Sequence, residues 1–177
     1  AFQTLVTEDA AQLGAFFCEH KQVRKITFTG STRVGQILLS QSAQSIKRAS
    51  LELGGNAPFM VFESADIKKA VQGVIVAKFR NAGQTCVAAN RVLVQNTCLE
   101  AFLEELKLQA ARLKVADGFT EDADLGPLIN AQAKQKAQNL VEDATLKGAK
   151  IAYQGEEKAR QFMAPIILTE VKQSMEI

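Results

Sequence analysis

The chain has 177 residues, of which 47% are hydrophobic and 23% charged, the composition of an ordinary globular protein. Its net charge of +2 comes from 21 basic and 19 acidic residues spread along the whole length, so no electrostatic footprint for nucleic acid or anionic lipid is visible. No apolar run approaches the roughly 20 residues that span a bilayer. These properties predict a cytoplasmic protein whose partners are small molecules.

The cysteines, Cys18, Cys86 and Cys98, form an odd set without the spacing of a metal site, and His20 is the only histidine. Such a set fits a reducing compartment better than a disulfide framework. The sequence therefore predicts neither structural disulfides nor a metal site.

The first third of the chain predicts part of a nucleotide-binding unit. Thr7 is the predicted cap of a surface helix. Residues 25–29 are rich in β-branched and aromatic side chains, which predicts a strand, and Gly30 follows it directly. Helical spacing begins at Val34, so a strand, a glycine turn and a helix follow one another.

A double glycine then separates two further strands. Residues 49–53 alternate small or apolar residues with polar ones and stop at Gly54 and Gly55. Residues 59–62 are a short apolar run of the kind found in buried parallel strands. We place the domain boundary at this glycine pair, which gives a first domain of residues 1–54 and a second of residues 55–177.

The second domain begins with a helix and a strand around one cysteine. Asp66 is the predicted cap of a helix that runs to about Phe79, and residues 91–94 read as the next strand. Cys86 therefore lies on the connection between this helix and this strand. Arg91, at the strand's start, is predicted to form an ion pair or to contact a phosphate or carboxylate.

The rest of the second domain continues to alternate predicted helices with predicted strands. Thr97 opens a helix with a capping-box pattern, and Asn130 caps another that ends at Gly148. Residues 150–153 and 165–171 are strand-like. Strands that alternate with helices of ten or more residues predict a right-handed parallel α/β sheet.

Three segments carry the chemistry: residues 28–35 (FTGSTRVG), 51–58 (LELGGNAP) and 79–86 (FRNAGQTC). Together they resemble the aldehyde dehydrogenase superfamily, and the arginine at position 80 resembles its succinate-semialdehyde dehydrogenase branch. The resemblance extends from about Val23 to the end of the chain. It implies an α/β fold in which a parallel-sheet catalytic domain follows the last part of a Rossmann-like nucleotide-binding domain, and NAD or NADP as the cofactor.

Cys86 is the predicted nucleophile. On residue type alone, an intracellular cysteine is more often a small buried residue, and we interpret Cys18 and Cys98 in that way. A thiolate that attacks an aldehyde gives a thiohemiacetal, which becomes a thioester once hydride has left for a nicotinamide. The resemblance implies this role for Cys86. Gly83, just before it, would let the backbone approach the substrate closely.

Glu52 is the predicted general base. Water that hydrolyses a thioester near neutral pH needs a base, and burial beside Leu51 and Leu53 could tune a carboxylate for that task. A lone glutamate in a strand usually faces solvent, and the resemblance implies the catalytic role here.

Gly30 and Ser31 are the predicted cofactor-binding residues. They open a helix directly after a strand, where free N–H groups and the helix dipole favour a pyrophosphate. By themselves they would form an ordinary turn and N-cap. The pattern is not the six-residue dinucleotide fingerprint, and the assignment to NAD or NADP comes from the resemblance.

Arg80 is the predicted substrate-binding residue. A guanidinium six residues before the nucleophile could pair with the distant carboxylate of a short substrate. In the resembling branch this position binds the carboxylate of succinate semialdehyde, although a solvated arginine at a helix end fits the residues equally well. Glutarate semialdehyde or another ω-carboxy aldehyde would suit Arg80 too, so the choice of aldehyde stays open.

The resemblance also marks two departures. Several members of the branch carry a second cysteine two residues after the nucleophile, where this chain has Ala88, so we predict no disulfide switch. Members are usually well over twice this long, so we expect a fragment truncated in its catalytic domain. A truncated, non-catalytic α/β module is therefore the alternative to an enzyme, and association into a homo-oligomer stays open.

Overall fold

The computed structural model describes residues 2–156 and 158–177. It contains two compact units, Ala1–Gly55 and Asn56–Ile177. The division falls after Gly55, one residue beyond the boundary that the sequence predicted between Gly54 and Gly55.

The first unit has two helices and one pair of strands. Helix α1 spans Ala10–Glu19, β1 Lys25–Gly30, α2 Thr32–Ala43 and β2 Arg48–Leu53. Strands β1 and β2 are parallel, with Thr29 opposite Glu52. Their carboxyl ends therefore lie at the same edge of the pair.

The predicted cap of α1 is wrong by two residues. Asp9, not Thr7, is the N-cap, and its Oδ1 accepts from the Gln12 N–H at 2.9 Å. The Thr7 hydroxyl oxygen instead accepts from the Asp9 N–H at 3.0 Å. The aspartate supplies the stronger, charged acceptor at the helix start, so Thr7 is left to shape the turn before it.

Small residues allow the helices and strands of the first unit to pack closely. Cys18 is fully buried, and the Ser42 hydroxyl donates to its sulfur at 3.3 Å. Gly35 on α2 packs so closely on β2 that a Cβ there would lie 2.8 Å from Leu53 Cδ2. Cys18 is therefore a packing residue, as the sequence predicted.

The second unit opens with a β-α-β arrangement. Strand β3 spans Ala57–Val61, α3 spans Ile67–Phe79 and β4 spans Ala89–Val94, and the two strands are parallel. The predicted cap of α3 is confirmed, since Asp66 Oδ1 accepts from the Lys69 N–H at 3.1 Å. The core of this unit lies between the strands, α3 and the next helix; its buried members are Val61, Val71, Val74, Cys98, Phe102 and Leu106.

Helix α4, Leu99–Arg112, begins without the predicted capping box. A short 3₁₀ turn, Asn96–Cys98, precedes it. The Thr97 hydroxyl donates to Glu63 Oε2 at 2.9 Å, a partner 34 residues away in sequence. This tertiary contact to a carboxylate competes with the local cap, which explains the error.

The last elements are α5, Ala131–Leu146, and strands β5, Lys150–Gln154, and β6, Ile166–Thr169. The predicted Asn130 cap is confirmed, because its Oδ1 accepts from the Ala133 N–H at 2.8 Å. Strands β5 and β6 pair antiparallel, so the expected parallel pattern is wrong for them. The described residues of their connection, 155–165, contain no helix, whereas a parallel pair usually needs a helical crossover.

The α/β class is confirmed by the helices and by the two parallel strand pairs. Among the residues that the structure describes, no helix has the length and apolar character needed to cross a membrane.

Candidate active site

The segment between α3 and β4, residues 80–88, carries Cys86 and is called the nucleophile loop below. Its backbone is unusual, since three consecutive residues have positive φ: Asn81 at 54°, Ala82 at 53° and Gly83 at 76°. Such conformations cost a non-glycine residue on the order of 1 to 3 kcal/mol, and they cluster at functional sites. The loop therefore needs contacts that hold it in this shape.

Gly83 is required here for two reasons. An L side chain rarely adopts its positive φ, and a Cβ at this position would lie 3.0 Å from the Lys78 carbonyl oxygen. The sequence suggested that this glycine lets the backbone approach a substrate. The structure gives it a conformational and packing role against the last turn of α3.

Hydrogen bonds within the loop close it into a compact turn. The backbone N–H and the side-chain Nε2 of Gln84 both donate to the Asn81 carbonyl oxygen at 3.1 Å. Asn81 Nδ2 returns a bond of 3.1 Å to the Gln84 carbonyl oxygen. The Ala88 N–H donates to the Thr85 carbonyl oxygen at 3.2 Å, which closes a turn around Cys86.

The Gln84 side chain also reaches the segment before α5. Its Oε1 accepts from the Ile129 N–H at 2.8 Å, and its Nε2 lies 3.5 Å from the Pro127 carbonyl oxygen. Sequence reasoning gave Gln84 no role of its own. The available signal was a carboxamide directly after a glycine in a loop, because such a side chain can bond to backbone on both sides.

Cys86 is the exposed cysteine of the chain, whereas Cys18 and Cys98 are buried. Within the described residues its thiol makes no hydrogen bond, so no polar contact of its own holds the sulfur in place. An exposed thiol is accessible to an electrophile, which a buried one is not.

Arg80 ends α3 as its C-cap residue and lies exposed at the start of the nucleophile loop. Its guanidinium forms no ion pair or hydrogen bond with any residue that the structure describes. It is therefore available to an anionic group from outside the chain.

Lys78, on the last turn of α3, packs against the nucleophile loop. Its ammonium donates to Asn90 Oδ1 at 3.1 Å, and a Cβ on Gly83 would lie 3.9 Å from its Nζ. Burial of the side chain lowers the pKa of Lys78 from its ordinary value of 10.5. The sequence predicted this helix but not the contact of Lys78 with Asn90, which joins α3 to β4.

The other predicted site residues lie at the carboxyl edge of β1 and β2 in the first unit. Ser31 is the N-cap of α2, and its Oγ accepts from the Val34 N–H at 3.3 Å. The N–H groups of Thr32 and Arg33 in the first turn have no acceptor among the described residues. This exposed helix start fits an anionic group such as a pyrophosphate.

Glu52 lies at the same edge as Gly30 and Ser31, opposite Thr29 in the parallel pair. It is exposed, so the expectation that Leu51 and Leu53 bury it is wrong for this structure. The strand explains this, because successive side chains point to opposite faces and both leucines lie on the other one. Cys86 and Arg80 belong to the second unit.

Arg91 has no carboxylate partner among the described residues, so the expected ion pair is not found there. Its Nη2 donates to the Asn56 carbonyl oxygen at 3.0 Å. The guanidinium thus ties the start of β4 to the residue before β3, a structural role. Among the residues described, no group of three or more His, Cys, Asp or Glu side chains could hold a metal ion.

The family model of the "Aldehyde dehydrogenase family" matches residues 2–177, which is nearly the entire chain. The chain belongs to the aldehyde dehydrogenase family.

Two relatives within this family act on aldehydes that carry a carboxylate, as their names state. The succinate semialdehyde dehydrogenase of Acinetobacter baylyi is 47% identical over 97% of this chain and 36% of its own length. The glutarate-semialdehyde dehydrogenase of Pseudomonas putida is 46% identical over 95% of this chain and 35% of its own. The chain thus spans about a third of the length of the curated relatives it matches.

Solved structures of the family share this fold. The succinate-semialdehyde dehydrogenase of Burkholderia pseudomallei matches 97% of this chain and 36% of its own, with a TM-score of 0.92 and 44% identity. A betaine aldehyde dehydrogenase from Staphylococcus aureus, solved in complex with NAD+, matches 92% of this chain and 34% of its own, with a TM-score of 0.87 and 30% identity.

Proposed function

We propose that the protein is an NAD(P)-dependent dehydrogenase of aldehydes that carry a carboxylate, with succinate semialdehyde as the first candidate. The observation that carries the proposal is the nucleophile loop of a chain in the aldehyde dehydrogenase family. It presents the exposed thiol of Cys86 six residues after Arg80, whose guanidinium has no partner among the described residues. In this proposal the first unit belongs to the cofactor domain and the second unit to the catalytic domain.

The reaction begins at the sulfur of Cys86. Its thiolate attacks the aldehyde carbon, and the C–S bond that forms gives a thiohemiacetal whose oxygen carries the negative charge. NAD or NADP supplies the acceptor for the hydride that leaves this carbon. Collapse of the oxyanion leaves a thioester on Cys86, and the substrate has been oxidised by two electrons.

Glu52 has the second role in this proposal. Its carboxylate takes a proton from water, and the resulting hydroxide attacks the thioester carbonyl. The C–S bond breaks, the carboxylic acid product leaves, the Cys86 thiolate is restored and Glu52 releases its proton to solvent. The exposed position of Glu52 gives water free access to the carboxylate.

The cofactor is assigned to the carboxyl edge of the first unit. The uncapped N–H groups of Thr32 and Arg33, with Gly30 and Ser31 beside them, could receive the pyrophosphate. The NAD+ complex of the Staphylococcus aureus relative supports a dinucleotide in this family. The choice between NAD and NADP is left to titration with each cofactor.

Arg80 fixes the substrate class. A carboxylate that reaches the guanidinium can form two charge-assisted hydrogen bonds, and an uncharged aldehyde forms neither. Succinate and glutarate semialdehydes both meet this requirement, and relatives are named for each. Comparing kcat/KM for the two semialdehydes would separate them.

A second candidate function is that of a non-catalytic module that associates with itself. The outer face of β3 and β4 exposes Met60, Phe62 and Leu93 at 60%, 61% and 51% of their surfaces. Apolar patches of this kind promote association. This candidate predicts a mass that rises with concentration and no binding of cofactor.

The test compares the protein with its Cys86→Ser variant. We expect reduced cofactor to form from succinate semialdehyde with the cysteine present and not with serine, while Cys98→Ser retains the activity. Absence of turnover and of cofactor binding in a folded protein, together with a concentration-dependent mass, would favour the module instead.

A further inference from the structure

Both polar atoms of the Gln84 carboxamide make contacts with the backbone of the second unit. Its Oε1 accepts from the Ile129 N–H, and its Nε2 donates to the Asn81 carbonyl oxygen and approaches that of Pro127. Ile129 lies 45 residues away in sequence. An acceptor and two donors on one planar group is what only an amide side chain supplies.

These contacts join two segments that have no strand or helix in common. Asn81 lies in the left-handed part of the nucleophile loop, whereas Pro127 and Ile129 lead directly into the Asn130 cap of α5. Gln84 therefore connects the strained turn to a segment that is itself fixed by a helix.

Cys86 depends on this connection for its position. Its own side chain has no bond to any described residue, and it follows Gln84 by two residues. A shift of about 1 Å in a reacting group can cost on the order of 100-fold in rate. The geometry of the loop thus makes the anchoring of Gln84 relevant to the chemistry at Cys86.

We infer that Gln84 is a positioning residue, which clamps the nucleophile loop to the Pro127–Ile129 segment and so sets the place of the Cys86 thiol. The catalytic part of this inference rests on the proposed function. The clamp itself is a property of the folded chain and can be measured without turnover.

Two substitutions separate the contacts of the amide. Gln84→Glu keeps an oxygen for the Ile129 N–H and loses both donations, whereas Gln84→Met loses every polar contact at similar length. Gln72→Met, on the exposed face of α3, is the matched control.

The first measurement is amide hydrogen exchange by NMR on the 177-residue protein. Loss of one hydrogen bond changes a local opening equilibrium by about fivefold. We therefore expect the Ile129 N–H to exchange about fivefold faster in Gln84→Met and to stay protected in Gln84→Glu. Unchanged exchange in Gln84→Met, or a uniform acceleration across the unit, would overturn the clamp.

The second measurement compares alkylation of Cys86 by iodoacetamide with steady-state oxidation of succinate semialdehyde. Both Gln84 variants should alter the alkylation rate and lower kcat by about tenfold or more with little change in KM, since a misplaced nucleophile slows the chemical step. Gln72→Met should match the wild type in both.

The outcomes distinguish the two proposals. If the wild type oxidises no aldehyde but the exchange and alkylation patterns follow Gln84 as described, the proposed function fails and the clamp stands. If the wild type turns over and the Gln84 variants match it in kcat and alkylation, the inference fails and the function stands.

Discussion

Cys86 and Arg80 differ from the other cysteines and arginines of the chain in what surrounds them. Cys18 and Cys98 are buried, and Arg91 donates to a backbone carbonyl, whereas Cys86 and Arg80 are both exposed around one loop. A nucleophile and a carboxylate-binding group need that accessibility. Substitutions at Arg80 and at Glu52 test the roles proposed for these two side chains.

Replacing Arg80 by alanine should weaken binding of succinate semialdehyde far more than that of an uncharged aldehyde such as butanal. A hydrogen bond to a charged group contributes about 1.5 to 3 kcal/mol, so KM should rise by roughly 10-fold to 100-fold for the semialdehyde alone. Steady-state kinetics with both substrates measure this, with Arg112→Ala on α4 as the control. Equal effects on both aldehydes would show that Arg80 does not bind the carboxylate.

Replacing Glu52 by glutamine should leave acylation of Cys86 intact and slow hydrolysis of the thioester. General-base catalysis typically contributes about 10² to 10⁴ in rate, so kcat should fall within that range. Intact-mass spectrometry after mixing with cofactor and aldehyde should detect the acyl group on the protein. Glu100→Gln, exposed on α4, is the control; wild-type kcat in Glu52→Gln would remove Glu52 from the mechanism.

Residues whose contacts are local were the ones that the sequence predicted well. Asp66 and Asn130 cap helices through N–H groups three residues away. The Thr97 hydroxyl and the Gln84 amide have partners 34 and 45 residues away, which sequence spacing cannot reveal. The residue types of the candidate site can be proposed from the sequence, but the contacts that hold the nucleophile loop cannot.

At the scale of elements, strand pairing follows the length of the connection. Helix α3 carries the chain from β3 to a parallel β4, whereas the segment after β5 has no helix at its described residues and β6 returns antiparallel. Element existence was read correctly from hydrophobic periodicity. The antiparallel direction of β5 and β6 was not predicted, because it depends on the segment that connects them.

The contact of α3 with β4 through Lys78 predicts a pH dependence. Burial lowers the folded-state pKa of Lys78 below 10.5, so the folded state binds fewer protons than the unfolded state between those two values. The free energy of unfolding of the wild type, relative to Lys78→Met, should therefore rise with pH in that window.

Urea unfolding of both proteins from about pH 7 to about pH 10 measures the difference, in which the titration of other groups cancels. Lys68→Met, on the exposed part of the same helix, should show no such trend. A difference that stays constant with pH would contradict the burial of the Lys78 charge.

Helix α5 is tied to the end of the chain by Asp143. Its carboxylate bonds to the Lys147 ammonium at 2.5 Å and accepts from the Glu176 N–H at 2.9 Å. The Lys147 hydrogen bond, followed by that from Glu176, lowers the pKa of Asp143 from its ordinary value of 3.8.

This contribution to stability is complete above pH 3.8 and is lost as the pH falls through the lower, folded-state pKa. In Asp143→Ala, which keeps no side-chain acceptor, exchange of the Glu176 N–H should be faster than in the wild type at neutral pH, and the difference should narrow in acid as the wild-type carboxylate is protonated. Amide exchange by NMR measures both, and equal exchange at neutral pH would contradict the contact.

At the scale of the whole molecule, the chain spans about a third of the length of its relatives. It contains two compact units. The sequence motifs identified the family, and the roles proposed for the site residues depend on the same motifs. Exposure depends on every segment that packs nearby, which is why the predicted burial of Glu52 could not be read from its leucine neighbours.

The central claim is that Cys86 is the nucleophile of a semialdehyde dehydrogenase. It is tested most directly by alkylating the protein with iodoacetamide, with and without NAD or NADP plus succinate semialdehyde, and mapping the labelled cysteine by mass spectrometry. We predict rapid labelling at Cys86, slow labelling at Cys18 and Cys98, and suppression at Cys86 by the ligands. Labelling that ignores the ligands, or that spreads evenly over the three cysteines, would contradict the claim.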